Sequence, residues 1–189
     1  KTGGIIVMVG SADFNNPDIS GQVNIALRPR QPGSSIKPIN YVTAFKYGWT
    51  PATRILDLKT KFPDATGKPY EPINYDEKEH GLLTVRQALV SSLNIPAVKT
   101  LFFTSAKNDM LAPYPLAMIR TAQQMGITTF TNPDGSLKQF GLALTLGGGD
   151  VKLIELAGAY SVFANQGAYI APTPYLKIVD GKGNVLYDL

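Results

Sequence analysis

The sequence predicts an α/β chain of the α+β type, with β segments at both ends and a mostly helical body between them. Three observations carry this. Gly3 to Gly10, "GGIIVMVG", is a continuous apolar run bounded by glycines. From Ser34 the apolar residues change to a helical period. The tail, "YLKIVDGKGNVLYDL", holds two β-type runs around a turn signal.

The elements follow in order. The first run is rich in Ile and Val and too short for a core helix, so it predicts a buried strand. After the polar turn "SADFNNPDISG", the alternating "QVNIALRP" predicts a second strand, making an antiparallel hairpin at one edge of a larger sheet. "SSIKPINYVTAFKYG" then places Ile36, Ile39, Tyr41 or Val42, and Phe45 on one helical stripe. Ser34 stands at its cap, Pro38 near the first turn and Gly48 at its end. Trp49 to Gly81 is rich in prolines and charges and predicts an irregular surface excursion. Leu83 to Leu93 is a short amphipathic helix with Thr84 as cap. "NIPAVKTLFF" starts another, with Asn94 and Pro96 at its head. Two more helices are expected, over Pro115 to Met125 and Asp150 to Ala164, the latter after "TLGGGD". The "DGKGN" of the tail is a hairpin signal. No internal repeat and no splitting linker is visible.

Composition narrows the function. The chain is 44% hydrophobic and 17% charged, a globular balance, and its net charge of +4 comes from scattered lysines. Without a dense basic run interleaved with aromatics, a solvated basic surface is the better reading, and no nucleic acid is expected as partner. Cysteine is absent, which excludes disulfides, zinc–thiolate sites and cysteine nucleophiles. The single histidine, His80, has no partner histidine and reads as a surface residue. It also leaves a Ser-His-Asp hydrolase without a base other than itself, and no Gly-x-Ser-x-Gly elbow is present. No apolar run reaches the ~18 residues of a membrane helix. The chain opens without an initiator methionine and reads as a piece of something longer.

The chemistry centres on "RQPGSSIKP". Ser34 and Lys37 are three residues apart, which on a helix puts them on one face, Cβ atoms ~5–6 Å apart. A serine hydroxyl becomes a nucleophile when a base takes its proton, and a lysine is a base once desolvation or a neighbouring cation lowers its pKa. A helix N-terminus also favours negative charge on an attacked carbonyl oxygen. The spacing suits acyl transfer, but by itself it equally spells a capped helix start. "SLN", Ser92 to Asn94, is a second candidate between two helices: the serine for proton relay, the amide for a substrate carbonyl, or simply a cap. "TLGGGDVK" lacks the Gly-Lys-Ser/Thr ending of a phosphate loop and reads as a close helix start.

"RQPGSSIKP", "YDEKEHGLLTVRQALVSSLNIPAVKTL" and "LALTLGGGDVKLIELAGAYSVFANQGAYIAPTPYLKIVDGKGNVLY" resemble, in that order, the transpeptidase domain of class A (bifunctional) penicillin-binding proteins. "TGGIIVMVGSADF" is similar to the first strand of that domain. The resemblance implies a β-lactamase/transpeptidase-like fold over residues 1–189. Residues 1–30 would be strands of the antiparallel sheet, 31–168 the helical region with both motifs, and 169–189 a β-hairpin. It implies peptidoglycan D,D-transpeptidation through a serine acyl-enzyme: Ser34 as nucleophile, Lys37 as its base, Ser92 as proton relay and Asn94 as holder of the acyl-side amide. Implied partners are peptidoglycan stem peptides and β-lactam antibiotics, with no metal and no cofactor. An upstream glycosyltransferase domain and membrane anchor, on the extracytoplasmic face of the bacterial membrane, are implied for the full chain.

The sequence departs from that family at one place. The third motif, Lys-Thr/Ser-Gly, belongs on a strand well after the second, whereas the only "KTG" here is Lys1-Thr2-Gly3. It is read as coincidental, and a piece ending at Leu189 is expected to acylate poorly. The rival readings are a different Ser-Lys dyad hydrolase, and a non-catalytic wall-binding or assembly module of the same fold.

Overall fold

The computed structural model describes residues 2–63, 68–106 and 115–188. In chain order the elements are β1 (Pro29–Arg30), α1 (Lys37–Lys46), β2 (Arg54–Asp57), β3 (Gly81–Thr84), α2 (Val85–Val90), α3 (Asn94–Ala106), α4 (Leu116–Gln124), β4 (Val151–Lys152), α5 (Leu153–Ala164), β5 (Lys177–Val179) and β6 (Val185–Asp188). Short 3-10 helices cover Pro17–Ile19, Ile25–Leu27, Gly33–Ile36 and Leu142–Leu146. The residues pack as two compact units, one of Gln31–Gln123 with Phe130–Asp150, the other of Lys1–Arg30, Gln124–Thr129 and Val151–Leu189.

The first unit is the helical body. α1 packs on α3, and α3 on the 3-10 helix Leu142–Leu146. Of the stripe read from sequence, Ile36, just ahead of α1, and Ile39 and Tyr41 on it are buried, while Phe45 is half-buried; Ala44, outside that stripe, is buried as well. Each Ile contributes about 1.5–3 kcal/mol by leaving water. Tyr41 joins Ile55, Val85, Ala88 and Ala97 in one apolar cluster, flanked by Phe45 and Trp49. Pro38 sits in the first turn of α1, where its missing N–H is harmless. α2 begins as expected at Thr84, in a reciprocal capping box with Gln87.

The excursion from Trp49 to Gly81 is more regular than expected. β2 pairs antiparallel with β3, Arg54 opposite Thr84 and Asp57 opposite Gly81. Its alternation was disguised because the two inward positions hold Ile55 and a carboxylate, Asp57.

In the second unit, β5 and β6 form the expected terminal hairpin. The expected N-terminal hairpin is a correction. Gly4 makes one parallel bridge with Thr173, Ile5 N–H donates to Thr173 O at 2.9 Å, and Ile6 is 95% exposed. An all-apolar run forms a strand by pairing along its length with a neighbour that also helps cover its faces, and here the pairing stops after one bridge. "QVNIALRP" likewise forms a 3-10 turn, because Asn24 Oδ1 accepts from Ala26 N–H at 3.1 Å and offers the backbone a local partner instead of a ladder. Its last residue, Pro29, and the following Arg30 form β1, which pairs with β4, and α5 starts at Leu153 rather than the expected Asp150.

Candidate active site

Ser34 lies inside the 3-10 turn Gly33–Ile36, one turn ahead of α1, rather than at an α-helical cap as expected. The turn is entered through Gly33 at φ +57, and its exit is fixed by Lys37 N–H donating to Ser34 O. The Ser34 side chain is exposed, facing solvent at the head of a buried helix.

Lys37 is the opposite: 1% exposed, in the first turn of α1. Its ammonium donates to Ser92 O at 2.5 Å, Asn94 Oδ1 at 2.8 Å and Ser92 Oγ at 3.3 Å. Three protons meet three oxygens. Burial lowers its pKa from 10.5 to about 8, with no charged neighbour contributing. At pH 7 that raises the neutral fraction from about 0.03% to about a tenth. Two of its partners are carbonyl-type oxygens that only accept. The Ser92 hydroxyl alone can both accept and donate, so among these contacts it is the one route by which a proton can pass.

Ser92 is held there by the end of α2. Ser92 N–H donates to Leu89 O at 3.0 Å and Leu93 N–H to Ala88 O at 3.0 Å, the double closure of a Schellman turn. Its left-handed position, usually glycine, is filled by Ser92 at φ +51. The left-handed backbone aims the Ser92 hydroxyl at the buried lysine, 3.3 Å from its Nζ.

Asn94 opens α3 but does not cap it. Its side chain bridges Lys37 and Ile73 O, to which Nδ2 donates at 2.8 Å. The cap comes from Asn74, whose Oδ1 accepts from Asn94 N–H at 2.8 Å and Ile95 N–H at 3.2 Å. The structure thus brings together Lys37, Ser92 and Asn94. Ser34 adjoins them through its turn, with no hydrogen bond from Ser34 Oγ to Lys37 Nζ.

Sequence reasoning missed three supports. Asn40, fully buried one turn after Lys37, donates to Ala97 O and Thr145 Oγ1, both at 2.8 Å, tying α1 to α3 and to the Leu142–Leu146 turn. A polar residue on an otherwise apolar stripe was its signal. Gly147, at φ +95, packs so closely that a Cβ there would lie 2.3 Å from Gly33 N, one residue before Ser34. His80 is exposed, as expected, but its ring is held at both nitrogens: Nδ1 lies 2.6 Å from the buried Asp57 and Nε2 3.1 Å from Asp76.

Of the early "KTG", Lys1 lies outside the described residues. Thr2 Oγ1 accepts from Gly4 N–H at 3.3 Å. Among the described residues no cluster could hold a metal ion, and no helix is long and apolar enough to cross a membrane.

Comparison with known proteins matches residues 1–186 to the penicillin binding protein transpeptidase domain. Penicillin-binding protein 2D of Bacillus subtilis (strain 168) is 34% identical over 190 aligned positions, covering 100% of this chain and 25% of that protein. Penicillin-binding protein 1A of Aquifex aeolicus (strain VF5) is 34% identical over 188 positions, covering 98% and 23%. The chain thus spans about a quarter of the length of these relatives. Among solved structures, the PonA1 protein of Mycobacterium tuberculosis in complex with penicillin V aligns with a TM-score of 0.72 at 25% identity, over 87% of this chain and 43% of that one. Penicillin-binding protein 1A of Haemophilus influenzae gives 0.72 at 26%, over 90% and 24%. With the buried lysine site carried on a chain that this domain family matches almost end to end, and with relatives of the class A group at a third identity, the protein belongs to the penicillin-binding protein transpeptidase domain family.

Proposed function

We propose that residues 1–189 are part of the domain that carries out peptidoglycan D,D-transpeptidation through a serine acyl-enzyme. The observation that carries this is the buried Lys37 with Ser92 and Asn94 on its amine. Neutral Lys37 takes the Ser34 hydroxyl proton, directly or through Ser92 Oγ, as Ser34 Oγ bonds to the carbonyl carbon of a D-Ala-D-Ala bond. The C–N bond breaks, the proton goes to the departing D-alanine amine, and an ester is left on Ser34. An amine on a neighbouring strand then attacks the ester, and Ser34 regains its proton. Asn94 Nδ2, now held by Ile73 O, is the group to grip the acyl-side amide. A β-lactam follows the first half only, because its leaving nitrogen stays tethered. The penicillin V complex of the mycobacterial relative supports this partner. In the intact protein, stem peptides are the substrate, an upstream glycosyltransferase domain and membrane anchor accompany this one, and the site works on the extracytoplasmic face of the membrane.

A second reading, a wall-binding or assembly module that keeps the fold without turnover, draws on the unmade Ser34–Lys37 hydrogen bond. Mass spectrometry after incubation of the intact protein with penicillin decides. A covalent adduct on the Ser34 peptide, lost in Ser34→Ala, supports acyl transfer. An unmodified wild type overturns it, and in favour of the module when peptide is not turned over either. A different Ser-Lys hydrolase predicts turnover of peptide without a stable penicillin adduct.

A further inference from the structure

Behind the candidate site lies a polar layer that the proposed reaction does not use. Asn74 is 2% exposed in an otherwise irregular segment, and both ends of its amide are occupied. Oδ1 takes the first two N–H groups of α3, those of Asn94 and Ile95. Nδ2 donates to Asp57 Oδ1 at 3.0 Å, Asp57 Oδ2 at 2.9 Å and Lys78 O at 2.8 Å. Asp57, fully buried, is held in turn by His80 N–H at 3.0 Å and His80 Nδ1 at 2.6 Å.

The first N–H groups of a helix need acceptors, and the side chain of the residue before the helix ordinarily supplies one. Before α3 that residue is Leu93, which has no acceptor side chain. The open N–H groups, those of Asn94 and Ile95, go instead to Asn74, 20 and 21 positions upstream, which fixes the first turn of α3 and with it the Asn94 side chain whose oxygen is on Lys37. Ile73 O, the adjacent backbone, takes the other end of the Asn94 amide and fixes which way it faces.

We propose that Asn74 is a positioning residue: by capping α3 from outside, locked by Asp57, it holds the Asn94 amide oxygen on Lys37. The inference rests on the reading of Ser34 and Lys37 as the acylating pair. Without Asn74, the N–H groups of Asn94 and Ile95 lose their acceptor, the first turn of α3 that carries Asn94 loosens, and Lys37 loses one of the two acceptor-only partners that favour its charged form. The amine then loses its proton more readily. No carboxylate or other cation contacts its nitrogen, so the missing amide is not replaced.

The test is the pH dependence of penicillin acylation in the intact protein, for wild type, Asn74→Ala, Asn74→Asp and the double exchange Asn74→Asp with Asp57→Asn. In Asn74→Ala the limb on which the rate rises with pH moves down by about one unit, the size of one charge-assisted hydrogen bond. The rate on the plateau falls as the acyl-side grip is lost. Loss of fold alone lowers the amount of reactive protein and leaves the limb in place. Asn74→Asp sets two carboxylates against each other at the Asp57 contact, and the double exchange restores one donor and one acceptor set, bringing the limb back. A limb at the wild-type pH in folded Asn74→Ala overturns the proposal. If that variant does not fold, a double exchange no closer to wild type than Asn74→Asp overturns it instead. A wild type that forms no Ser34 adduct overturns the acyl-transfer reading itself, a result separate from any of these.

Discussion

Lys37 Nζ lies 2.8 Å from Asn94 Oδ1, a contact that spans 57 positions of sequence and joins the first turn of α1 to the first turn of α3. The acceptor is neutral, and that matters. Burial has already lowered the lysine to about 8, and a carboxylate in the same place would reverse the effect.

Asn94→Asp is therefore expected to keep the fold and lose the base. A negative charge within ~4 Å raises the lysine pKa by about 1–3 units. With the neutral amine as the proposed active form, the acylation rate is expected to rise with pH through about 8 in the wild type. In the variant the limb moves to higher pH and the rate at pH 7 falls about 10- to 1000-fold. Penicillin acylation followed across pH checks this. An unmoved limb would mean that Lys37 is not the titrating group.

Ser92 offers a test in which stability and activity move in opposite directions. It occupies the left-handed position of the Schellman turn at φ +51, where a side chain costs roughly 1–2 kcal/mol and glycine almost nothing. Glycine gives part of that back through its freer unfolded chain. Ser92→Gly is expected to raise the unfolding free energy by about 1 kcal/mol or less, and with it the melting midpoint, and to slow acylation by about 10²–10⁴ through loss of the proposed relay hydroxyl. Thermal melts and acylation rates on the same preparation check it. A variant that is both less stable and equally reactive refutes both halves.

The helices were legible because their stabilising face is periodic, and the period survives in the spelling: Ile36 just ahead of α1 with Ile39 and Tyr41 on it, Thr84 and Gln87 at the start of α2. β2 was hidden because an inward-facing aspartate interrupts its alternation. The N-terminal run misled for the reverse reason: its residues are strand-forming, but pairing is a property of neighbours, and it makes a single bridge. At the site, the motif residues could be named in advance. Their supports could not, since Asn74 and Asp57 act through contacts 17–21 positions away, in a segment with no period to read.

Two glycines beside Ser34 separate backbone strain from packing. Both have positive φ, +57 at Gly33 and +95 at Gly147. A Cβ on Gly33 meets nothing within 4 Å, whereas one on Gly147 would lie 2.3 Å from Gly33 N and 2.5 Å from its Cα. Gly33→Ala is expected to lose roughly 1–2 kcal/mol, the left-handed penalty alone. Gly147→Ala carries that penalty and must also push the Gly33–Ile36 turn aside. It should therefore lose more stability and slow acylation of whatever folds. Denaturant midpoints and acylation rates for the pair check this, and equal effects would show that the turn yields without consequence.

The last expectation concerns His80. Its hydrogen bond to Asp57 comes first and desolvation, which opposes it, second; with the Asp76 and Asp57 charges adding, the balance raises its pKa above the ordinary 6.5. Asp76 stays ionised throughout, because hydrogen bonds, the Lys78 N–H foremost, hold it below 3.8. A raised folded pKa means that the folded state binds the proton more tightly than the unfolded chain does. The stabilisation is complete below about pH 6.5 and is lost as pH rises through the higher, folded value. His80→Asn keeps a neutral donor facing Asp57 but cannot be protonated. Its unfolding midpoint should fall short of wild type most on the acid side of 6.5, and the gap should close as pH rises. Because Asp57 also anchors Asn74, the same acid-side gap is expected in variants of the Asn74 contact only where His80 is intact. A wild-type-to-variant gap that is constant with pH would show that His80 is not protonated in the pair, leaving a neutral hydrogen bond between His80 and Asp57.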